Sequence, residues 1–213
     1  MKDIIIVCAG STGVEVAGII ECINMDAEKE GREAPYRLLG FIDDTPGLPL
    51  PDYMTCPILG GIKDWHPRGD EVYALANTKP KAKEKLAELL KARGCRFETI
   101  IAPYARVKPH AEIGEGSIIT AYNINNGAKI GKFVNIQGSM IGGTSEIGDY
   151  STTLGFANIP GARIGKRVYV GSQAVVMAHK VGDDAVICVG SIVLANVRAG
   201  TKVFGNPAKR VDW

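Results

Sequence analysis

Histidine is scarce in this sequence: His66, His110 and His179 are the only three in 213 residues. Side chains able to exchange a proton near neutral pH are therefore few. The five cysteines are odd in number and scattered, with no Cys-x-x-Cys pair, which leaves neither a disulfide framework nor a thiolate zinc site. Charge of one sign is also lacking. Lys and Arg total 25 against 23 Asp and Glu, a net charge of +2, so no long-range field draws in nucleic acid or an anionic membrane. No apolar run approaches the roughly 20 residues of a membrane span. The N-terminal run Ile4–Cys8 is shorter than the roughly 7–15 residues of a secretory core and follows the acidic Asp3. These absences predict a cytoplasmic protein with reduced thiols. What is abundant is glycine, 26 residues, well above the roughly 7% of average usage.

The first half reads as alternating strand and helix. Ile4–Cys8 is an apolar strand, Thr12 to Lys29 has helical spacing, and Tyr36–Ile42 is a second strand ending at Asp43-Asp44. Glu71–Ala76 is a further strand, followed by a Lys-rich helix over Pro80–Arg93 and a strand over Phe97–Ile101. This order predicts a small parallel α/β sheet of Rossmann-like kind over 1–101.

From Tyr104 the helical period stops and a repeat begins. Ile113-Gly114, Ile130-Gly131, Ile147-Gly148, Ile164-Gly165 and Val181-Gly182 recur every 17 residues. A small or β-branched residue follows four places after each first residue (Ser117, Val134, Ser151, Val168, Ala185). Apolar beats follow at Ile119, Ile136, Val170 and Ile187, then at Ile124, Ile141, Ile159, Val176 and Val193. Three short steps per turn describe a triangular β-solenoid over 102–213, with one apolar residue per face pointing inward and glycine at corners, which need tight backbone and often positive φ. A three-histidine zinc site is excluded: His110 and His179 stand about four coils apart and no third histidine joins them.

The [Ile/Val]-Gly-x-x-[Ser/Val/Ala] repeat behind a small α/β half, ending in Phe204-Gly205-Asn206-Pro207-Ala208-Lys209, resembles the hexapeptide-repeat acyltransferases. It looks like one subgroup in particular, the sugar O- and N-acetyltransferases of the sialic-acid and bacillosamine-precursor type. That resemblance implies a left-handed parallel β-helix, a homotrimer, and transfer of an acetyl group from acetyl-CoA to a nucleotide-linked sugar. It implies no metal.

The loop Cys8-Ala9-Gly10-Ser11-Thr12-Gly13 joins a strand to a helix, where backbone amides can hold a phosphate, although Cys8 stands at the first glycine position of the usual fingerprint. A tight turn without ligand is the alternative. Asp43 and Asp44 are placed to accept from a ribose or base, as the resemblance implies, or to form an ordinary turn. Gly61, beside Gly60, either lets a sugar nucleotide approach or simply turns the chain.

In the resembling family the catalytic histidine lies four residues before an Ile-Gly pair and is followed by an acidic residue. Here those positions are Gly143 and Thr144. His179 is the preferred histidine in its place, ahead of His110, with Glu146 and Asp149 as acidic alternatives. A catalytically altered relative that binds sugar nucleotide or CoA without transferring is the other reading. By position in the family pattern, Thr152, Gly161, Ser172 and Gly190 would line the CoA groove, with Lys209 and Arg210 meeting its phosphates.

Overall fold

The structure is a computed structural model and describes residues 1–212. Strands β1 (Lys2–Val7), β2 (Tyr36–Ile42), β3 (Ile58–Gly60), β4 (Val72–Leu75) and β5 (Arg96–Phe97) form a parallel sheet in the order β3-β2-β1-β4-β5. Helices α1 (Ser11–Lys29) and α2 (Pro80–Ala92) cover its two faces. β1 is apolar at every inner position because both of its faces are buried. Ile4 and Ile6 pack with Val16, Ala17 and Ile20 of α1, while Ile5 and Val7 pack with Ala87 and Leu90 of α2. No helix among the described residues is long and apolar enough to cross a membrane.

The strand expected over Phe97–Ile101 divides in two. Arg96–Phe97 closes the α/β sheet, whereas Ile100–Ile101 pairs in parallel with Ile118–Ile119 and is the first strand of the solenoid. The solenoid has three parallel faces. The docked sheet lies against the α/β unit and runs from Ile100–Ile101 through Asn135–Gln137 and Thr152–Thr153 to Lys202–Gly205, closed by the antiparallel strand Ala208–Arg210. The anchor sheet carries the Ile/Val-Gly pairs, from Glu112–Ile113 to Lys180–Val181. The open sheet runs from Asn123–Ile124 to Ile192–Val193.

The repeat beats seen in the sequence form a single core, with Ile119, Ile136, Ile147, Ile164, Val170 and Ile187 all buried among their equivalents. One beat is polar. Thr153 is fully buried where its neighbours are apolar, and its hydroxyl meets that of Ser139 at 3.0 Å. The buried serines at the fourth position knit successive coils together: Ser117 Oγ donates to the Gly131 carbonyl at 3.0 Å and accepts from the Val134 amide at 3.0 Å. Ser151 repeats the pattern with Gly165 and Val168.

Of the two reasons expected for the anchor glycines, tight backbone holds and positive φ does not. None of the five has positive φ; the left-handed positions two residues after them belong to Gly116, Phe133, Tyr150, Arg167 and Asp184. The glycines are required by close approach. A Cβ on Gly148 would lie 2.5 Å from the Gly165 carbonyl carbon, and one on Gly182 2.4 Å from the Ala199 nitrogen.

The docked sheet holds the α/β unit through an interface partly apolar and partly polar. Phe133 packs edge-on against Phe97 at 5.0 Å and stacks on Tyr150 at 5.5 Å. Arg167 grips Asp184 through two hydrogen bonds and reaches Glu84 of α2 at 2.9 Å. Between these lies Lys83 of α2, with no exposed surface, its Nζ donating to the Ser151 carbonyl at 3.0 Å and to Thr152 Oγ1 at 2.9 Å. No carboxylate accompanies it, and burial pushes its pKa well below the usual lysine value. The folded state therefore favours a neutral amine, while the unfolded chain holds the proton up to about pH 10.5. Folding stability is thus lost as pH falls below that value and regained as pH rises toward it. Thermal unfolding of the wild type should show a steeper rise in Tm than Lys83→Met between about pH 7 and pH 10. Parallel curves would mean that the folded protein keeps the Lys83 proton.

Candidate functional site

Two cavities flank the start of α1. The first opens at the C-terminal ends of β1, β2 and β4, where an open parallel sheet receives ligands. β1 ends at Val7, and Cys8 then takes φ 75°, the left-handed conformation a glycine would adopt at this place. Gly13 packs the first turn of α1 onto that bend: a Cβ there would lie 2.1 Å from the Cys8 carbonyl oxygen. Gly13 is thus a packing residue. Gly10 occupies the N-cap of α1 and no side chain caps the helix, so its first amides face the cavity. Gly10, Ser11, Thr12, Asp43, Asp44 and Asn77 line a space of about 480 Å³, with Leu48, Ile62 and Leu86 as its apolar wall.

Asp43 shapes this loop. Its Oδ2 accepts from the Ala9 amide at 2.8 Å and its Oδ1 from the Thr45 amide at 2.8 Å. Burial works against the carboxylate, but the two amides outweigh it and hold its pKa below the usual value. Asp44 Oδ1 accepts from the Lys63 amide at 3.1 Å. Gly61 lies outside the cavity lining, and a Cβ on it would stand 3.1 Å from Asp44 Oδ1, so it leaves room for that carboxylate. Burial pushes the Cys8 thiol up to about 11, leaving it protonated and unreactive at neutral pH.

The second cavity, about 830 Å³, lies between α1 and the corner where the docked sheet turns into the open sheet. Its lining includes Glu15, Tyr104, Arg106, Tyr122, Gln137 and the corner glycines Gly138 and Gly155. Gln137 Nε2 donates to Glu15 Oε2 at 3.3 Å, and partial burial raises the Glu15 pKa. Sequence reasoning missed Glu15. The signal was its place one turn after Ser11 on the same helix face.

The remaining expected residues fall at separate places. Ser172 and Gly190 stand on the same corner as Gly138 and Gly155, one and two coils beyond Gly155, and the Gly190 amide donates to the Ser172 carbonyl at 2.9 Å. Thr152 does not line a groove. It is completely buried, and its hydroxyl is taken by Lys83, because the α/β unit covers that face of the coil. Gly161 lies at a different corner, between the open and anchor sheets, as do Gly143 and His179. His179 is exposed and its carbonyl accepts from the Arg163 amide at 2.9 Å. His110 is exposed on the first coil with φ 63°. Of the acidic alternatives, Glu146 pairs with Arg163 at 3.5 Å, and Asp149 pairs with Lys166 at 3.2 Å and accepts from the Lys132 amide at 3.0 Å. Lys209 and Arg210 are exposed on the terminal hairpin, where Arg210 reaches Asp212 at 2.9 Å.

Gly143 sits in a corner with no space for a side chain. A Cβ would lie 2.4 Å from the Asn126 carbonyl oxygen, and one on neighbouring Gly142 2.2 Å from the Pro160 carbonyl oxygen. The missing histidine is therefore matched by a corner packed too tightly to receive one.

No family model matches the chain. Among curated proteins it is 39% identical over 106 residues to the serine acetyltransferase of Helicobacter pylori, covering 44% of this chain and 62% of the relative. It is 28% identical over 120 residues to the bifunctional protein GlmU of Rhizobium rhizogenes, covering 52% of this chain and 26% of the relative. The chain thus spans about a quarter of GlmU and less than two thirds of the serine acetyltransferase. Solved structures match end to end. The acetyltransferase domain of PglB from Neisseria gonorrhoeae superposes with a TM-score of 0.81 at 20% identity, covering 99% of this chain and 100% of that one. WeeI from Acinetobacter baumannii gives 0.78 at 24% identity, with 99% and 100% covered. PerB from Caulobacter crescentus, in complex with CoA and GDP-perosamine, gives 0.73 at 18% identity, with 100% and 98% covered. At these identities the likeness is one of fold. The fold is that of the hexapeptide-repeat, left-handed β-helix acetyltransferases, and the chain shares with PglB, WeeI and PerB an α/β unit in front of the solenoid.

Filling the Gly143 corner should be costly. Gly143→Ala is expected to lower stability by about 1–3 kcal/mol in chemical denaturation, the range of overpacked sites. Unchanged stability would mean that the corner relaxes and can admit a side chain.

Proposed function

We propose that the protein transfers an acetyl group from acetyl-CoA to a sugar linked to a nucleotide. The observation that carries this reading is the meeting of two sites: a phosphate-type cleft at the α1 N-terminus and a solenoid corner, both within one helical turn of Glu15 along α1. In this reading, the α/β unit in front of Ile100 holds the nucleotide. The uncapped amides at Ser11 and Thr12 receive a phosphate, and Asp44 accepts from the nucleoside. Residues 102–213 hold CoA. Its pantetheine arm lies along the corner column Gly155, Ser172 and Gly190, with Lys209 and Arg210 beyond as cations for its phosphates. Thr152 takes no part and Gly161 belongs to another corner, so the CoA site is narrower than the family pattern implies.

Self-association fits the open side of the solenoid. Tyr122, Met140, Phe156, Met177 and Leu194 are exposed along the open sheet and its corner, an apolar stripe suited to a second copy, and a homotrimer would cover it on each chain. A cytoplasmic setting suits the five free cysteines. PerB was solved with CoA and a GDP-sugar, which supports the same pair of ligands here.

A second reading is favoured by one observation, the tightly packed Gly143 corner: the protein binds sugar nucleotide or CoA and transfers nothing. Thiol release from acetyl-CoA, measured against UDP-, GDP- and dTDP-linked sugars, separates the two. Transfer predicts release that depends on at least one acceptor. Silence across the panel, with sugar-nucleotide binding retained by calorimetry, contradicts transfer and leaves the binding reading.

A further inference from the structure

The family histidine position cannot hold a base, His179 and His110 lie away from both cavities, and Glu146 and Asp149 are engaged in ion pairs. We propose that Glu15 takes the acceptor's proton, so that the cavity between α1 and the docked–open corner is where acyl transfer occurs. The proposal rests on the transfer reading given above.

Three separate rulers converge on this carboxylate. The first is α1. Ser11 lines the phosphate-type cleft and Glu15 the second cavity, four residues on and therefore on the same face, about 5–6 Å away. A diphosphate at the helix N-terminus places its sugar one helical turn along, at Glu15. The second is the solenoid strand Asn135–Gln137. Asn135 donates to the carbonyl of Asn77, a residue of the first cavity, and Gln137 donates to Glu15 in the second. Two residues of strand cover about 6.6 Å, close to the helical step on the opposite wall. The third is the corner column. Gly138 and Gly155 line the Glu15 cavity, with Ser172 and Gly190 stacked beyond them at about 4.8 Å per coil. An extended pantetheine on that column ends at the cavity.

The environment suits the role. Gln137 holds the Glu15 carboxyl from one side, Tyr104 stands near it on the first coil, and Arg106 and Tyr122 complete the cavity wall. Partial burial raises the Glu15 pKa, which makes the carboxylate a stronger base, while the group stays accessible to solvent. A carboxylate is a weak base for an alcohol but suits an amine, whose proton becomes acidic once the new bond forms. The acceptor is therefore an amino sugar. The free amine attacks the thioester carbonyl carbon, and the C–N bond forms. Glu15 accepts the proton from the nitrogen, the C–S bond breaks, and the leaving CoA thiolate receives that proton.

The test compares kcat and KM for thiol release by the wild type and Glu15→Gln, using the acceptor the wild type prefers. Glutamine keeps the shape and a partner for Gln137, so sugar-nucleotide binding by calorimetry should be retained and shows that the variant is folded. The proposal expects kcat to fall by about 100-fold or more, the lower range for general bases, with KM for acetyl-CoA little changed. It also expects amino sugars to react and their hydroxyl analogues to stay silent. A Glu15→Gln enzyme that keeps wild-type kcat overturns the role of Glu15 alone. A wild type that releases no thiol with any acceptor overturns the transfer reading, and this role with it.

Discussion

The structure depends on how closely successive coils of the solenoid approach one another. A 17-residue turn closes only if the backbone of each anchor corner rests almost on the backbone of the next, and Gly114, Gly148 and Gly182 are glycines because a Cβ there would meet main-chain atoms of the following coil. Once coils stack at that distance, every feature recurs at one spacing: the inward apolar beats, the serine bridges at Ser117 and Ser151, and the column of corners. A groove along such a column needs little side-chain chemistry, since its polar groups come from the backbone.

The same regularity creates the place where the α/β unit docks. The docked sheet offers a flat face on which Phe133, Tyr150 and Arg167 are held at left-handed corner positions and aimed at the first half. Burying Lys83 against Ser151 and Thr152 costs the desolvation of an amine, and that cost persists because the surrounding apolar contacts fix α2 in place. The polar contacts across the interface also set its register. Asn135 meets Asn77 and Gln137 meets Glu15, so the mouth of the phosphate-type cleft stands beside one particular corner of the solenoid. The site is thus a product of docking, and neither half contains it alone.

Much of the fold was legible in the sequence because both halves have strong periods. The strand Tyr36–Ile42 was placed to the residue, and the inward beats were right from Ile119 to Val193. The Phe97–Ile101 strand was misread as one because hydrophobicity runs through both of its parts, and only hydrogen-bond partners separate them. Gly10, Ser11 and Thr12 of the strand-to-helix loop and Asp43 and Asp44 at the end of the second strand line one cavity, as their places on a parallel sheet imply. The place of Thr152 was not legible, because its burial depends on Lys83, a residue 69 positions away. Glu15 carries no signal of its own in the sequence, since its place depends on Gln137, 122 positions away. The absent histidine at Gly143 was visible at once. That its corner is too tight to accept one is information only the stacked backbone carries.

If nucleotide and acyl donor meet at the docked–open corner, a crystal structure of the protein with CoA and a nucleotide-linked amino sugar will show both there. The pantetheine arm is expected along Gly155, Ser172 and Gly190, with the sugar nitrogen within about 3 Å of the Glu15 carboxylate. A CoA sulfur seated at Gly143, Gly161 and His179, with Glu15 touching neither ligand, would contradict it.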